Sequence, residues 1–551
     1  MELNVLSLIT QVAVLILLLG ALHQPMGRYL AATFTSRKHL AVERGLYKLS
    51  GIDSAADQHW KVYLRSLLAF SIVSILVVLG GQMLQGHLPF NQGMGAVDPW
   101  VAMNTAVSFV TNTNWQTYVP ESTLGFGVQM LLLAVQNFLS AAVGLAVVVA
   151  LIRGLVRAET HNLGNFWVDL TRGTLRVLLP LSILGAVVLI VTGVIQNWGG
   201  TDIHTLVTGA QQTVPGGPVA SQEAIKLLGT NGGGYFNANS AHPFENPTAF
   251  SSLFEVFLIL LIPFSLPAMY GRMVGDKRQG YTVLTVMVAF WLGSTALMTW
   301  AVAAFAGQGT GVGEGFEQRF GIAPSTLFAT ATTLTSTGAV NVAHDSLPPL
   351  AGGLAMLNMM LGEIAPGGVG SGLYGLLVLA IVAVFIGGLM VGRTPEFLGK
   401  KIGSAQMKLV ALYILVTPTL VLLGTAITVS IPYLSSNAPA EGPHGFSEIL
   451  YAFTSAANNN GSAFGGITSS GPGLATMLAL AMLLGRFLPI ALVLALAGSL
   501  AKQRKVPDTS GTLATHGPLF ATLLGGVSLL VAALTYFPAL ALGPAAEGLI
   551  K

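Results

Sequence analysis

The chain has 551 residues, 53% of them apolar and only 9% charged, with a formal net charge of +3. A soluble domain carries roughly 25% charged residues, so the composition excludes an ordinary globular enzyme and indicates a polytopic protein whose solvent is a lipid bilayer. Cysteine is absent, which excludes disulfides and thiolate metal sites, and nothing in the charge balance points to nucleic acid.

A membrane-spanning helix needs about 20 apolar residues. Ten stretches qualify, at 4–22, 63–84, 126–152, 173–196, 249–271, 281–306, 350–391, 408–432, 472–500 and 518–543. The first follows only Met-Glu-Leu-Asn, with no basic segment, so it reads as a retained helix rather than a signal peptide. The seventh and ninth are too long or too interrupted for simple helices. Gly362-Glu363-Ile364-Ala365-Pro366-Gly367-Gly368-Val369-Gly370 breaks the seventh, and Gly485-Arg486-Phe487-Leu488-Pro489 interrupts the ninth. Non-helical backbone at membrane depth survives only where protein or a water-filled cavity shields it.

Lys and Arg set the orientation. Alternate connections hold 21 of the 25 basic residues, from Arg28 to Lys61 and Arg65, Arg153 to Arg176, Arg272 to Arg278, Arg393 to Lys408, and Lys502 to Lys505. The opposite set holds only Lys226, Arg319 and Lys551, and Arg486 belongs to neither. The basic face is therefore expected in the cytoplasm and both termini outside.

The outside connections carry four polar loops: TNTNWQ (111–116), TNGGGYFN (230–237), TSTGAVN (335–341) and NNNGSAFGG (458–466). Each follows a segment too short to span, at 101–110, 221–228, 324–334 and 446–457, which suits a re-entrant half-helix. Taking Asn112, Gly232, Gly338 and Gly461 as equivalent gives separations of 120, 106 and 123 residues. The expected fold is an all-α membrane protein with four pseudo-symmetric span–pore-loop–span repeats around one pore. The units run 63–172, 173–280, 281–407 and 408–506, with additions at 1–62 and 507–551.

Rings of backbone carbonyls can replace the water shell of an alkali cation without a full counter-charge, so the ion can also leave. Glycine permits the backbone conformations and close approach this needs, half-helix C-termini aim carbonyl dipoles at a cation, and Thr or Asn can brace such loops. The candidate alkali-cation ligands are Thr111, Asn112 and Thr113; Asn231, Gly232 and Gly233; Thr337, Gly338 and Ala339; and Asn460, Gly461 and Ser462. Gln116, just past the first loop, either faces the ion path or braces the loop. Glu363 is an ionisable group at membrane depth, where such groups are functional by default; it either attracts ions or caps the broken helix. Arg486, below the fourth loop, either obstructs the straight path to the cytoplasm or is a structural partner of an acid or of carbonyls. Trp115, Tyr235 and Phe464 are candidates for a packing collar. His242 and Glu245 read as loop scaffolding, and no zinc-type ligand pair is expected.

SFVTNTNWQ, LLGTNGGGYFNANSAHPFENP, TSTGAVN, APGGVGSGLYG and NNNGSAFGG together resemble the potassium-binding A subunit family of bacterial Kdp potassium-transporting ATPases, over essentially the whole chain. That family is part of the superfamily that includes the Trk, Ktr and HKT potassium transporters. The superfamily typically has Gly where Asn112 stands, and the Kdp protein shares the departure. The resemblance implies that K+ is selected from outside and passes through an intramembrane tunnel to a P-type ATPase partner, the catalytic B subunit. The C subunit and the small F subunit would complete the complex in a bacterial inner membrane. The resemblance also favours a role for Gln116 in ion affinity and a gate role for Arg486. No G-x-x-x-x-G-K-[ST] or Asp-Lys-Thr-Gly sequence is present, so nucleotide chemistry is expected on a partner rather than on this chain. The competing reading is a stand-alone Trk-like channel or symporter; a membrane enzyme lacks any cluster of catalytic residues.

Overall fold

The computed structural model describes residues 3–204, 209, 211–305, 314–507 and 512–549. Fifteen helices carry the architecture. The ten spans are α1 (Val5–Thr35), α2 (Trp60–Met83), α4 (Phe126–Val156), α5 (Phe166–Val191), α7 (Ala249–Met273), α8 (Lys277–Ala304), α11 (Ser371–Met390), α12 (Ser404–Ser430), α14 (Pro472–Ala501) and α15 (Pro518–Leu540). The short helices are α3 (Pro99–Val110), α6 (Val219–Leu228), α9 (Ile322–Leu334), α10 (Pro349–Met360) and α13 (Gly442–Asn458).

The fourfold repeat is visible in burial. The spans that follow the polar loops are the more buried: α4, α7, α11 and α14 are 83%, 72%, 72% and 56% buried over their most apolar windows. The spans before the loops are less so, with 28% for α2 and α5, 44% for α8 and 22% for α12. α1 covers the outside of α7, and α14 touches α3, α4, α12 and α13. Lipid-facing and protein-facing helices are equally apolar, so hydropathy finds both and distinguishes neither.

Local chemistry sets the helix ends. Asp98 caps α3 by accepting the Trp100 and Val101 N–H groups, with Pro99 supplying a preset φ at the first position. Thr248 and Ser251 form a reciprocal cap on α7, and Asp276 caps α8.

Three expectations are corrected. The ninth span is not interrupted: α14 runs unbroken from Pro472 to Ala501 with Pro489 inside it. Gly485 is there for packing, because a methyl group on it would overlap the Ala457 carbonyl. The first span continues well past residue 22, to Thr35. Finally, the spans expected from 63, 173, 281 and 408 begin earlier, at Trp60, Phe166, Lys277 and Ser404. Basic residues such as Lys61, Arg172, Lys277 and Lys408 mask those starts from a hydropathy reading, although long cationic side chains are compatible with a span's end.

The break in the seventh span is present, between Met360 and Ser371. It is wedged among the loops: Gly367 N–H donates to Leu334 O at 3.1 Å, and Val369 N–H donates to Thr230 Oγ1 at 2.9 Å. Gly370, at φ 91°, lies where any side chain would overlap Gly144 O of α4. Protein groups thus satisfy the freed backbone.

Candidate functional site

α3, α6 and α13 end alike. The N–H groups of Thr113, Asn231 and Asn460 fold back onto the carbonyls of Ser108, Lys226 and Ser455 at 2.8–2.9 Å. The residues before them, Asn112, Thr230 and Asn459, hold φ of 65°, 48° and 61°. Asn adopts this left-handed conformation more readily than most residues. α9 departs from the pattern: its cap Thr335 is extended, and the break in the seventh span takes up Leu334 O.

These bonds correct the register of the first loop. Thr113 is equivalent to Asn231 and Asn460, so Asn114, not Asn112, stands opposite Gly232 and Gly461. Asn114 has φ 56°, against 82°, 76° and 95° for Gly232, Gly338 and Gly461. The polar pairs misled the sequence reading, because Asn substitutes for Gly at positive φ.

With that register the loops close into a ring. A methyl group on Gly232 would overlap Thr337 O, one on Gly338 would overlap Asn460 O, and one on Gly461 would overlap Thr113 O. The second, third and fourth loops therefore lie with their glycines against carbonyls of the third, fourth and first. Such approach is open only to residues without Cβ. Asn114 turns its side chain away, donating to Asn137 Oδ1 of α4 at 2.6 Å.

The remaining candidates divide by position. Thr113 and Thr337 bond Thr111 and Thr335 through their hydroxyls at 2.8 and 2.7 Å, the same link in two repeats. Asn112 donates to Thr230 O at 2.8 Å and accepts from Ser140 Oγ at 2.8 Å, so it braces the first two loops. The Asn231 amide lies 2.6 Å from Asn112 Oδ1 and 3.0 Å from Ser140 Oγ. Asn460 spans the other side, donating to Thr335 O at 2.8 Å and Glu363 Oε1 at 2.8 Å and accepting from Ser462. Ala339 turns its methyl into the core. Gln116 accepts the Gly234 N–H at 2.8 Å while lining the mouth, so it braces the second loop from the mouth side.

Two cavities flank the ring. The mouth, about 580 Å³, is lined by all four loops, including Asn114, Gly233, Gly338 and Gly461. Beyond the ring a smaller cavity of about 100 Å³ is lined by Glu363, Asn459, Arg486, Tyr413 and Tyr536. Its lining includes residues of α12 and α15. Glu363 and Arg486 are both buried, and no ion pair joins them among the described residues. The Arg486 guanidinium instead reaches Ser140 O at 3.4 Å.

Sequence reading missed several braces. Lys226 is fully buried with Glu223 and Glu245 each 2.7 Å away, and Asn239 ties that cluster to Gly233 O at 2.7 Å. Glu245 and His242 were not missed: read as loop scaffolding, they accept the Phe236 N–H and stack on Phe236 respectively, beside the second loop. Asn137 and Ser140 were legible as polar residues three apart in an apolar span. Tyr451 bridges Ser462 Oγ at 2.8 Å and His344 Nδ1 at 2.7 Å. Burial holds the His344 imidazole down to about 4, so it is neutral there. The expected aromatic collar is not one cluster: Trp115, Tyr235 and Phe464 pack into three separate ones, each against helices of its own surroundings. His444 and Glu448, four residues apart on α13, lie beside Asp345, a grouping the expectation of no zinc-type pair did not include.

Residues 13–549 match the family described as potassium-transporting ATPase A subunit. The chain is 59% identical over 553 residues to the potassium-transporting ATPase potassium-binding subunit of Clavibacter michiganensis subsp. michiganensis (strain NCPPB 382), covering 98% of this chain and 99% of that one. A protein of the same description from Mycobacterium avium (strain 104) is 58% identical over 544 residues, covering 98% of each chain. Among solved structures, the potassium transporter TrkH from Vibrio parahaemolyticus is similar with a TM-score of 0.55 and 14% identity, over 86% of this chain and 97% of that one. That identity supports a shared fold alone. By the extent of the family match and the identity of its relatives, the chain belongs to the potassium-transporting ATPase A subunit family.

Proposed function

We propose that the four-loop ring is a K+ selectivity filter facing the cell exterior, and that this chain is the ion-selecting, non-hydrolytic component of an ATP-driven K+ uptake complex. The observation that carries this reading is the closed contact of Gly232, Gly338 and Gly461 with the carbonyls of the next loops, between two cavities. Thr113, Asn231, Thr337 and Asn460 supply the carbonyl ligands. Thr111, Asn112, Gln116 and Ser462 hold the loops in place.

Past the filter, the ion enters the cavity between Glu363 and Arg486. The buried guanidinium blocks a straight exit, and a path past α12 and α15, which line that cavity, leads to a P-type ATPase partner, the catalytic B subunit. The C subunit and the small F subunit complete the complex in a bacterial inner membrane, with the basic connections in the cytoplasm. The four repeats divide in the connections before Trp60, Phe166, Lys277 and Ser404. Membership of the ATPase A subunit family favours this over a stand-alone channel, to which the TrkH likeness extends in fold only.

The test is Gly232→Asp in the purified complex, which puts a side chain and a charge into the ring. Half-saturating K+ for ATPase activity should rise, and Rb+ or Na+ should stimulate relatively better. An unchanged K+ requirement refutes the filter.

A further inference from the structure

We propose that Asp345, His444 and Glu448 form a binding site for one divalent transition-metal cation of the zinc class, beside the mouth and separate from the ring. One ligand atom from each residue lies within 4.8 Å of the other two. His444 and Glu448 project from one face of α13, four residues apart, and Asp345 comes from the loop before α10.

Two further observations point to a ligand rather than to a self-sufficient ion-pair cluster. The first is how the imidazole is held. Its Nδ1 lies 2.8 Å from Glu547 Oε1, near the chain's C-terminus, and its Nε2 faces Asp345 Oδ1 at 3.1 Å. A carboxylate on one ring nitrogen that fixes the tautomer and aims the other into a set of oxygens is the outer-shell arrangement of metal-binding histidines. The ring is also packed parallel to Phe464, which restricts its rotation.

The second observation is Glu448. It is 1% exposed, yet the only donor to it among the described residues is the Ala440 N–H on Oε2, at 3.3 Å. Among the described residues no hydrogen bond to its Oε1 is formed, and Oε1 lies with Asp345 Oδ2 around Gly466. Two carboxylates, Asp345 and Glu547, thus share one imidazole while the buried Glu448 carboxylate stands beside them, and this excess of negative charge favours a cation. One nitrogen and two carboxylate oxygens, with a place left for water, suit Zn2+ and its neighbours better than Mg2+ or Ca2+, which prefer all-oxygen shells. Glu448 is one turn from Tyr451, whose hydroxyl holds Ser462, so a bound ion would stiffen the fourth loop.

The test titrates the purified, chelator-treated complex with Zn2+ alone by calorimetry. Wild type should bind one more equivalent than His444→Ala, and Glu448→Gln should bind that equivalent at least tenfold more weakly. Without zinc, both variants should keep the K+ dependence of ATPase activity. Equal zinc stoichiometry and affinity in all three overturns the proposal. Should a variant fail to assemble, the wild-type complex loaded with Co2+ decides. Strong visible d–d bands of a low-coordinate, nitrogen-ligated ion support the site, and the weak spectrum of six-oxygen Co2+ refutes it.

Discussion

Gly338→Ala is the smallest change that tests the ring. The alanine Cβ would sit 2.8 Å from Asn460 C and 2.8 Å from Ser462 N, and would overlap Asn460 O. All of these are backbone atoms held by side-chain bonds to Thr335, Glu363 and Tyr451, so they cannot rotate aside. The Asn460 carbonyl must retreat by on the order of 1 Å, since close-packed interiors have no spare room. At φ 76° the alanine adds about 1–2 kcal/mol of left-handed strain. One carbonyl moved out of reach of the ion forfeits an interaction comparable to a hydrogen bond to a charge, about 1.5–3 kcal/mol. That corresponds to a roughly ten- to hundredfold rise in half-saturating K+. The assay is K+-stimulated ATPase activity of the purified complex, with Gly293→Ala as control. Gly293 sits in α8 with nothing within 4 Å of the added methyl, so its K+ dependence should not change. Wild-type K+ dependence in Gly338→Ala, with the complex intact, would show that the ring is not where the ion is selected.

Lys226→Met removes the one cation from a fully buried cluster and strands Glu223 and Glu245. Breaking such a pair costs about 3–5 kcal/mol, so the thermal midpoint of the complex should fall sharply; an unchanged midpoint would contradict the bracing role. Arg486→Met removes the fixed charge beyond the ring and should give uncoupled K+ flux in proteoliposomes without ATP. No leak together with normal transport would rule out the gate. His344 must stay neutral, because its buried Nε2 has no acceptor among the described residues and its Nδ1 bonds Tyr451. A folded-state value of about 4 against 6.5 free means this neutral form stabilises fully above pH 6.5 and that the stability is lost as pH falls toward 4. Thermal midpoints across that window should fall more steeply in wild type than in His344→Asn; parallel curves would exclude His344 as the cause.

Much of this architecture could be read from the chain because membrane spans are long, apolar and bounded by basic residues. The alternation of Lys and Arg, the four Gly/Asn/Thr loops and the glycine-rich break at 362–370 each reflect one local rule. What failed depended on contacts between repeats. The register of the first loop turned on Asn114 adopting a glycine's conformation, and no propensity distinguishes it from Asn112 two residues earlier. Pro489 and Gly485 suggested a broken helix, but the neighbouring Ala457 backbone explains the glycine and α14 tolerates the proline. Ser140, Tyr451 and the Asp345–His444–Glu448 group come together only when helices far apart in sequence are packed.

The central claim is that a cation sits among Thr113, Asn231, Thr337 and Asn460, and anomalous scattering from crystals of the complex equilibrated with Tl+ or Rb+ tests it most directly. The account predicts an anomalous peak enclosed by the four loops, which competing K+ removes. Ordered loops with no peak among them, or with heavy-ion density only elsewhere in the chain, would contradict it.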